Sequence, residues 1–319
     1  MESMPLMPFK VPLTWDEWTA ASHDVKAVTS SPCLHKPKPA GKWYDQMIIR
    51  KDKNFRYMQE VGRGRYGEVT AGVLNGRMVA LKQVFQSETS YEDMLHEGEM
   101  LWRTINIKAI PDLIGFSYGR NGVEIVMEFV GSIKNGNVLC SDTVSMVSAL
   151  YDDQRRRFTR AIWLNVVRDV VHGLVELHRV NLLHCDVCAA NVMLQYDKVK
   201  QRWRGRIIDL GLARRKDPVF QPAHMAPKKY PRYMAICPHT APEIAQGDPH
   251  TTASDVYSVG ALLYLVNDKV NDNGVLSKLS DNCRDIDPRK RLAMEEVLAQ
   301  LDEISNLNNV GRGKTKAMG

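Results

Sequence analysis

No stretch of this chain is apolar for long enough to cross a bilayer. The best candidate, Val259 to Val266, is far short of the roughly 20 residues that a spanning helix needs. The first residues lack a positively charged run followed by an apolar core, so neither a signal peptide nor a membrane partner is expected. Cysteine is scarce: six residues, at 33, 140, 185, 188, 237 and 283, without the rhythm of a disulfide framework. That usage points to a reducing, intracellular setting, cytoplasm or nucleus. Charge of one sign is also lacking, with 43 basic against 37 acidic residues. A net +6 without a concentrated stripe does not suggest nucleic-acid binding. No internal repeat is visible, which excludes a solenoid. What remains is 44% hydrophobic and 25% charged over 319 residues, enough for one large domain or two modest ones.

Residues 1–54 carry Pro5, Pro8, Pro12, Pro32, Pro37 and Pro39 without sustained periodicity. Trp15, Trp18 and Trp43 argue against pure disorder, so this part reads as an extension that packs partly on the adjoining domain. From Phe55 the pattern is strand-like: Tyr57 to Val61, Val69 to Val73, and Met78 to Val84, with a hairpin signal at Asn75-Gly76. Tyr91 to Thr104 reads as a helix and Val123 to Phe129 as a buried strand. Ile162, Val166, Val170 and Leu174 recur every four residues, the mark of a long helix with one buried face. Short strands flank Asn191 and Asp209, Ala253 to Val266 is an apolar helix, and Asn267 to Gly274 is loop-like. The end contains Gly313-Lys314-Thr315, but Asn308 stands where a phosphate-binding loop needs its first glycine. Residues 302–319 therefore read as a flexible basic tail.

Five short segments occur in a fixed order. Gly62, Gly64 and Gly67 form a glycine-rich turn leading into Val69, and Val79-Ala80-Leu81-Lys82 comes next. Then come His184-Cys185-Asp186 with Asn191, Asp209-Leu210-Gly211, and Ala241-Pro242-Glu243. The glycine run sits between two strands instead of opening a helix, which counts against a dinucleotide fold. A lysine in mid-strand is costly unless paired. In this order the set resembles the eukaryotic-type protein kinase family, over about Phe55 to Leu301.

The resemblance implies an α+β fold of two lobes, a β-rich N-lobe of about 55–130 and a mainly helical C-lobe of about 131–301. It implies ATP and Mg²⁺ as cofactors and a protein substrate, with serine or threonine favoured over tyrosine as acceptor. The catalytic residues it assigns are Asp186, Lys82 and Glu97, with Glu99, and after it Glu92, as alternative partners of Lys82. Asn191 and Asp209 match the metal ligands, an amide oxygen and a carboxylate that suit a hard cation. Val61, Gly62, Gly64, Gly67, Val69, Ala80, Lys82, Met127, Glu128, Val130 and Met193 would surround the nucleotide, with Met127 as gatekeeper. Glu243 and Arg291 look like a structural ion pair, and Asp255 like a brace for the catalytic loop.

Several positions depart from the family pattern. Cys185 replaces the arginine that clamps a phosphorylated activation loop, so that switch is not expected. Cys188 replaces a lysine that steadies the γ-phosphate, which implies weakened transition-state stabilisation. Leu210 replaces phenylalanine. Only 36 positions separate Asp255 from Arg291, too few for the usual substrate-docking helix. A scaffold that keeps the fold without catalysis is the competing reading, and the complete set Lys82, Glu97, Asp186, Asn191 and Asp209 speaks against it. Cys185-x-x-Cys188 flanks Asp186 with thiols, so sensitivity to oxidation is expected. As a zinc site it lacks a second ligand pair. Cys237 and His239 could supply one, but a metal there would tie down Asp186.

Overall fold

The computed structural model describes residues 43–51, 54–63, 67–84, 90–119, 122–133, 141–151, 158–216, 237–270 and 274–314. Gly64, and the basic residues Lys228, Lys229 and Arg232, lie outside the described residues.

The N-terminal part is an antiparallel sheet of β1 (Phe55–Arg63), β2 (Gly67–Leu74), β3 (Arg77–Val84), β4 (Leu113–Gly119) and β5 (Gly122–Glu128), in the order β1-β2-β3-β5-β4. Asn75 and Gly76, both at positive φ, close the β2–β3 hairpin as their sequence predicts. Helix α1 (Ser90–Arg103) lies against β4 and β5. Its approach depends on Gly98, where a Cβ would overlap the Phe116 ring of β4. Residues 43–51, within the proline-containing extension, run along the same strand: Ile49 donates its N–H to the Phe116 carbonyl at 2.7 Å. Glu124 on β5 is 3% exposed and accepts hydrogen bonds from Ser117, Tyr57 and Lys51.

After the short pair β6 (Ser132–Ile133) and β7 (Ser141–Asp142), β8 (Val144–Ser145) leads into α2 (Met146–Tyr151). The long helix α3 (Arg160–Arg179) is capped by Thr159, whose side chain accepts from the Ile162 N–H. It buries the expected stripe and more, with Trp163, Val166, Val167, Val170, Val171, Leu174 and Leu177 all in the core. Around it lie β9 (Leu182–Leu183), β10 (Val192–Asp197), β11 (Arg202–Ile207) and β12 (Arg214–Arg215). Strands β11, β10 and β8 form one small sheet, and β12 pairs with β9.

The remaining helices are α4 (Pro242–Gln246), α5 (Thr252–Val270), α6 (Val275–Cys283) and α7 (Met294–Lys314). The result is a β-sheet N-lobe and a helical C-lobe, as the motif order predicts.

The structure corrects two boundaries. Helix α5 does not stop at Val266 but continues to Val270, because Val270 extends the buried row of Leu263 and Val266. The flexible tail does not begin at residue 302, since α7 runs to Lys314. Ile304 is buried, Asp302 pairs with Arg168, and the Ser305 hydroxyl donates back to the Leu301 carbonyl. Between α5 and Arg291 the described residues hold one α-helix, α6, and a single 3-10 turn, Pro288–Lys290. Helix α6 presses on α5 so closely that a Cβ at Gly260 would strike Cys283 and Arg284.

Gly98 ties helix position to sheet position, so Gly98→Ala should separate α1 from β4. Overpacking of this kind costs about 1–3 kcal/mol. Urea unfolding should show a lower midpoint at unchanged slope, and trimming the ring in Gly98→Ala/Phe116→Leu should recover part of the loss. Additive losses in the double variant would show that the contact does not set the packing.

Candidate active site

Lys82 sits in the middle of β3, opposite Val69 of β2 and Ile125 of β5. Its ammonium reaches both carboxylate oxygens of Glu97 at 2.7 Å and Oδ1 of Asp209 at 3.2 Å. Burial alone would push the ammonium towards neutrality, but the carboxylates of Asp209 and Glu97 outweigh it and hold Lys82 above its ordinary pKa. The choice between Glu97 and Glu99 is settled by helix geometry. Glu97 is 4% exposed and faces the sheet, whereas Glu99 pairs with Arg103 one turn along the outer side.

Asp209 comes just after β11 at φ 64°, a left-handed conformation that only a local constraint sustains in an aspartate. Its Oδ1 accepts the Gly211 N–H at 3.2 Å, which folds the Asp-Leu-Gly turn so that the carboxylate meets Lys82. Leu210 is fully buried in the core.

The loop after β9 carries Asp186 and Asn191. The Asn191 amide donates to the Asp186 carbonyl at 2.9 Å and to Oδ2 at 3.0 Å. With its nitrogen so engaged, the Asn191 oxygen is the atom left for a cation. The buried Asp255 of α5 holds the loop from beneath. It accepts the N–H of His184 at 2.9 Å and of Cys185 at 3.0 Å, and His178 Nε2 lies 2.9 Å away. Burial would raise this carboxyl, but the hydrogen bond and charge of His178 and the His184 N–H keep its pKa lowered. Cys185 sits at φ 67°, so the loop is held in a strained turn by those two bonds.

Of the predicted nucleotide-lining residues, Val61, Gly62, Gly67, Val69, Ala80, Lys82, Met127 and Glu128 lie on strands of the N-lobe sheet. Val61 and Val69 are half-buried, Gly62 pairs with Val69, and Ala80 pairs with Met127 across β3 and β5. Met193 on β10 lies in the C-lobe strand beside β8, and Gly67 opens β2. Val130 lies just beyond β5 and is buried. Glu128 is placed differently from a ligand-facing side chain. Its carboxylate clamps Arg206, with Oε1 at 3.1 Å and Oε2 at 2.6 Å from the guanidinium. Arg206 is 1% exposed and also donates to Gln195 and to the Ile110 carbonyl. This clamp joins the end of β5 to β11, and sequence reasoning missed it. Only the alternation of Arg202, Arg204 and Arg206 along one strand hinted at it.

Arg291 and Glu243 meet as expected, at 2.6 and 2.7 Å, and Arg291 also donates to the carbonyls of Asp285 and Ala253. The thiols differ from expectation. Burial, then Asp255, raises the pKa of Cys185 well above its ordinary value, and burial, then Asp186, does the same for Cys188. A thiol kept protonated is a poorer nucleophile than a thiolate.

Asp255 makes a pH prediction. Its folded pKa lies below the unfolded value of about 3.9, so its stabilisation is full above that value and disappears as pH falls through the folded pKa. The wild type should therefore lose stability on acidification from about pH 5 to pH 2. Asp255→Asn should be less stable at neutral pH, by about 1.5–3 kcal/mol for each charge-assisted bond weakened, and less sensitive to acid. Parallel acid-unfolding curves for the two proteins would refute the assignment.

The protein kinase domain family matches residues 55–272, more than half of the chain. Human protein-tyrosine kinase 6 is 26% identical over 74% of this chain and 47% of its own length. The dual specificity protein kinase shkB of Dictyostelium discoideum is 27% identical over 68% of this chain and 30% of its own. The pig proto-oncogene serine/threonine-protein kinase mos is 24% identical over 74% of this chain and 71% of its own length. The chain thus spans about half or less of the length of the first two relatives. The motif order, the lysine–glutamate pair between sheet and helix, and the match over residues 55–272 agree: this chain belongs to the protein kinase family.

Proposed function

We propose that the chain transfers the γ-phosphoryl group of ATP to a protein hydroxyl, with serine or threonine favoured over tyrosine, in an intracellular setting. The observation that supports this reading best is the convergence of Lys82, Glu97 and Asp209 opposite the Asp186–Asn191 pair. No helix among the described residues is long and apolar enough to cross a membrane. The matched relatives include tyrosine, dual specificity and serine/threonine kinases by name, and Cys188 matches neither the lysine of serine/threonine kinases nor the arginine of some tyrosine kinases, so the acceptor preference is the reading to be decided by experiment.

The donor set fits the cofactors. Lys82 offers an ammonium held charged by two carboxylates, the arrangement needed to receive phosphate oxygens. Asp209 and Asn191 would hold Mg²⁺ through a carboxylate and an amide oxygen, and the metal, when bound, would neutralise phosphate charge. Val61, Val69, Ala80, Met127 and Met193 supply apolar faces for a purine. Gly62, Gly64 and Gly67 allow backbone N–H groups to approach phosphates closely. Asp186 orients the acceptor hydroxyl and takes its proton as the oxygen bonds to phosphorus and the bond to the leaving oxygen breaks. No cation stands at position 188, so turnover slower than in lysine-bearing relatives is expected.

Two measurements test the reading. ATP should raise the melting temperature by several degrees with Mg²⁺ and much less with EDTA, because binding to the folded state stabilises it by about 2.7 kcal/mol at 100 times Kd. Asp209→Ala should abolish the metal-dependent part. Radiolabelled ATP should label the chain or a general protein substrate, and Asp186→Asn should reduce the rate by about 10²–10⁴-fold. Phosphoamino-acid analysis then decides the acceptor. Equal shifts with and without metal, with no labelling, would favour a scaffold instead.

A further inference from the structure

The segment before α4 brings His239 onto the catalytic loop. Its Nε2 lies 3.3 Å from Oδ1 of Asp186. Cys188 is close by, and one donor atom from each of Asp186, Cys188 and His239 lies within 4.8 Å of the other two. The sequence offers Cys237 and His239 as a second pair for the Cys-x-x-Cys, and the fold brings the His239 imidazole together with Cys188 and the Asp186 carboxylate.

We propose that Asp186, Cys188 and His239 form a Zn²⁺ site, and that its occupancy switches off the transfer reaction by taking the Asp186 carboxylate. The metal part stands on geometry. Zinc bonds of about 2.0–2.3 Å place tetrahedral ligand atoms roughly 3.3–3.8 Å apart. The imidazole and carboxylate already have that separation, and the sulfur, within 4.8 Å of both, needs to move by no more than about 1–1.5 Å to join them. One sulfur, one nitrogen and one oxygen suit a borderline cation and offer Mg²⁺ too few hard ligands.

The ligands also sit on anchored backbone. The Cys188 carbonyl accepts the Asn191 N–H at 3.0 Å, and the His239 carbonyl accepts the Ser258 hydroxyl at 2.6 Å. Asn191 steadies the second oxygen of Asp186. On binding, the Cys188 thiol releases its proton to solvent, His239 gives the lone pair of Nε2, and the metal keeps its oxidation state.

The inhibitory half rests on the kinase reading, whereas the binding half does not, so the test reads them separately. The full chain is titrated with Co²⁺ as a spectroscopic substitute and with Zn²⁺ at buffered free concentrations. Wild type should show a sulfur-to-cobalt charge-transfer band and tetrahedral d–d bands. Cys188→Ser should lose the charge-transfer band and bind Zn²⁺ at least tenfold more weakly, and His239→Gln should weaken Zn²⁺ binding similarly. Cys185→Ser should retain both the band and the affinity. In a labelling assay with excess Mg²⁺, Zn²⁺ should inhibit the wild type and a chelator should restore it. Cys188→Ser, measured against its own uninhibited rate, should need at least tenfold more Zn²⁺. If Cys188→Ser fails to fold, His239→Gln and the wild-type spectrum carry the test. The site is overturned if no charge-transfer band forms, or if Zn²⁺ affinity is unchanged in both variants. Binding as expected without inhibition of an active enzyme overturns the switch. Binding without any activity to inhibit would sink the kinase reading and leave the site standing.

Discussion

Lys82 cannot occupy the middle of β3 as a lone ammonium, because desolvating an unpaired charge costs several kcal/mol. Two carboxylates from elsewhere in the fold meet this demand, one from α1 and one from the turn after β11. Helix position, sheet position and the Asp-Leu-Gly turn are therefore coupled through one cation. Gly98 permits the close approach of α1 to β4 that brings Glu97 into range, and the Gly211 N–H bends Asp209 towards the same nitrogen. A displacement of α1 or of the Asp-Leu-Gly turn would leave the buried ammonium with one carboxylate in place of two.

A second buried charge organises the other half of the cleft. Asp255 accepts backbone N–H groups from His184 and Cys185, so α5 dictates the path of the loop that presents Asp186 and Asn191. Arg206 and Glu128 add a third link, between the last strand of the large sheet and the small C-lobe sheet. The Lys82–Asp209 and Arg206–Glu128 pairs cross between elements far apart in sequence, whereas Lys82–Glu97 joins consecutive elements. Their contribution is specificity of arrangement as much as stability, since a buried pair roughly cancels its own desolvation cost.

The two cysteines around Asp186 illustrate how the same residues change meaning with context. In sequence they suggested thiol chemistry beside a catalytic aspartate. In the fold their thiols are pushed towards the protonated form by burial and by neighbouring carboxylates, which makes them poorer nucleophiles than thiolates. A divalent cation would replace the thiol proton of Cys188 and reverse that balance, because it supplies the positive charge the site lacks.

Much of this protein was legible from residues alone. The hairpin at Asn75-Gly76, the four-residue period of α3 and the order of the five motifs depend on local rules, so strands, helices and the two-lobed class could be read directly. Glu97 was preferred over Glu99 from spacing, and the structure agrees because the two positions differ by about half a turn and face opposite sides of α1. Boundaries were less legible: Val270 and Ile304 prolong their helices through tertiary burial that no local signal announces. Partners distant in sequence were least legible. That Glu128 would clamp Arg206 came only from how the lobes pack, and the meeting of His239 with Asp186, visible in sequence only as a metal-ligand option, needed the packing of the segment before α4. Local sequence determined which elements form and which chemistry-bearing side chains they carry. Tertiary packing alone decided which of those charges share a site, because a buried ion selects its partner by proximity in space.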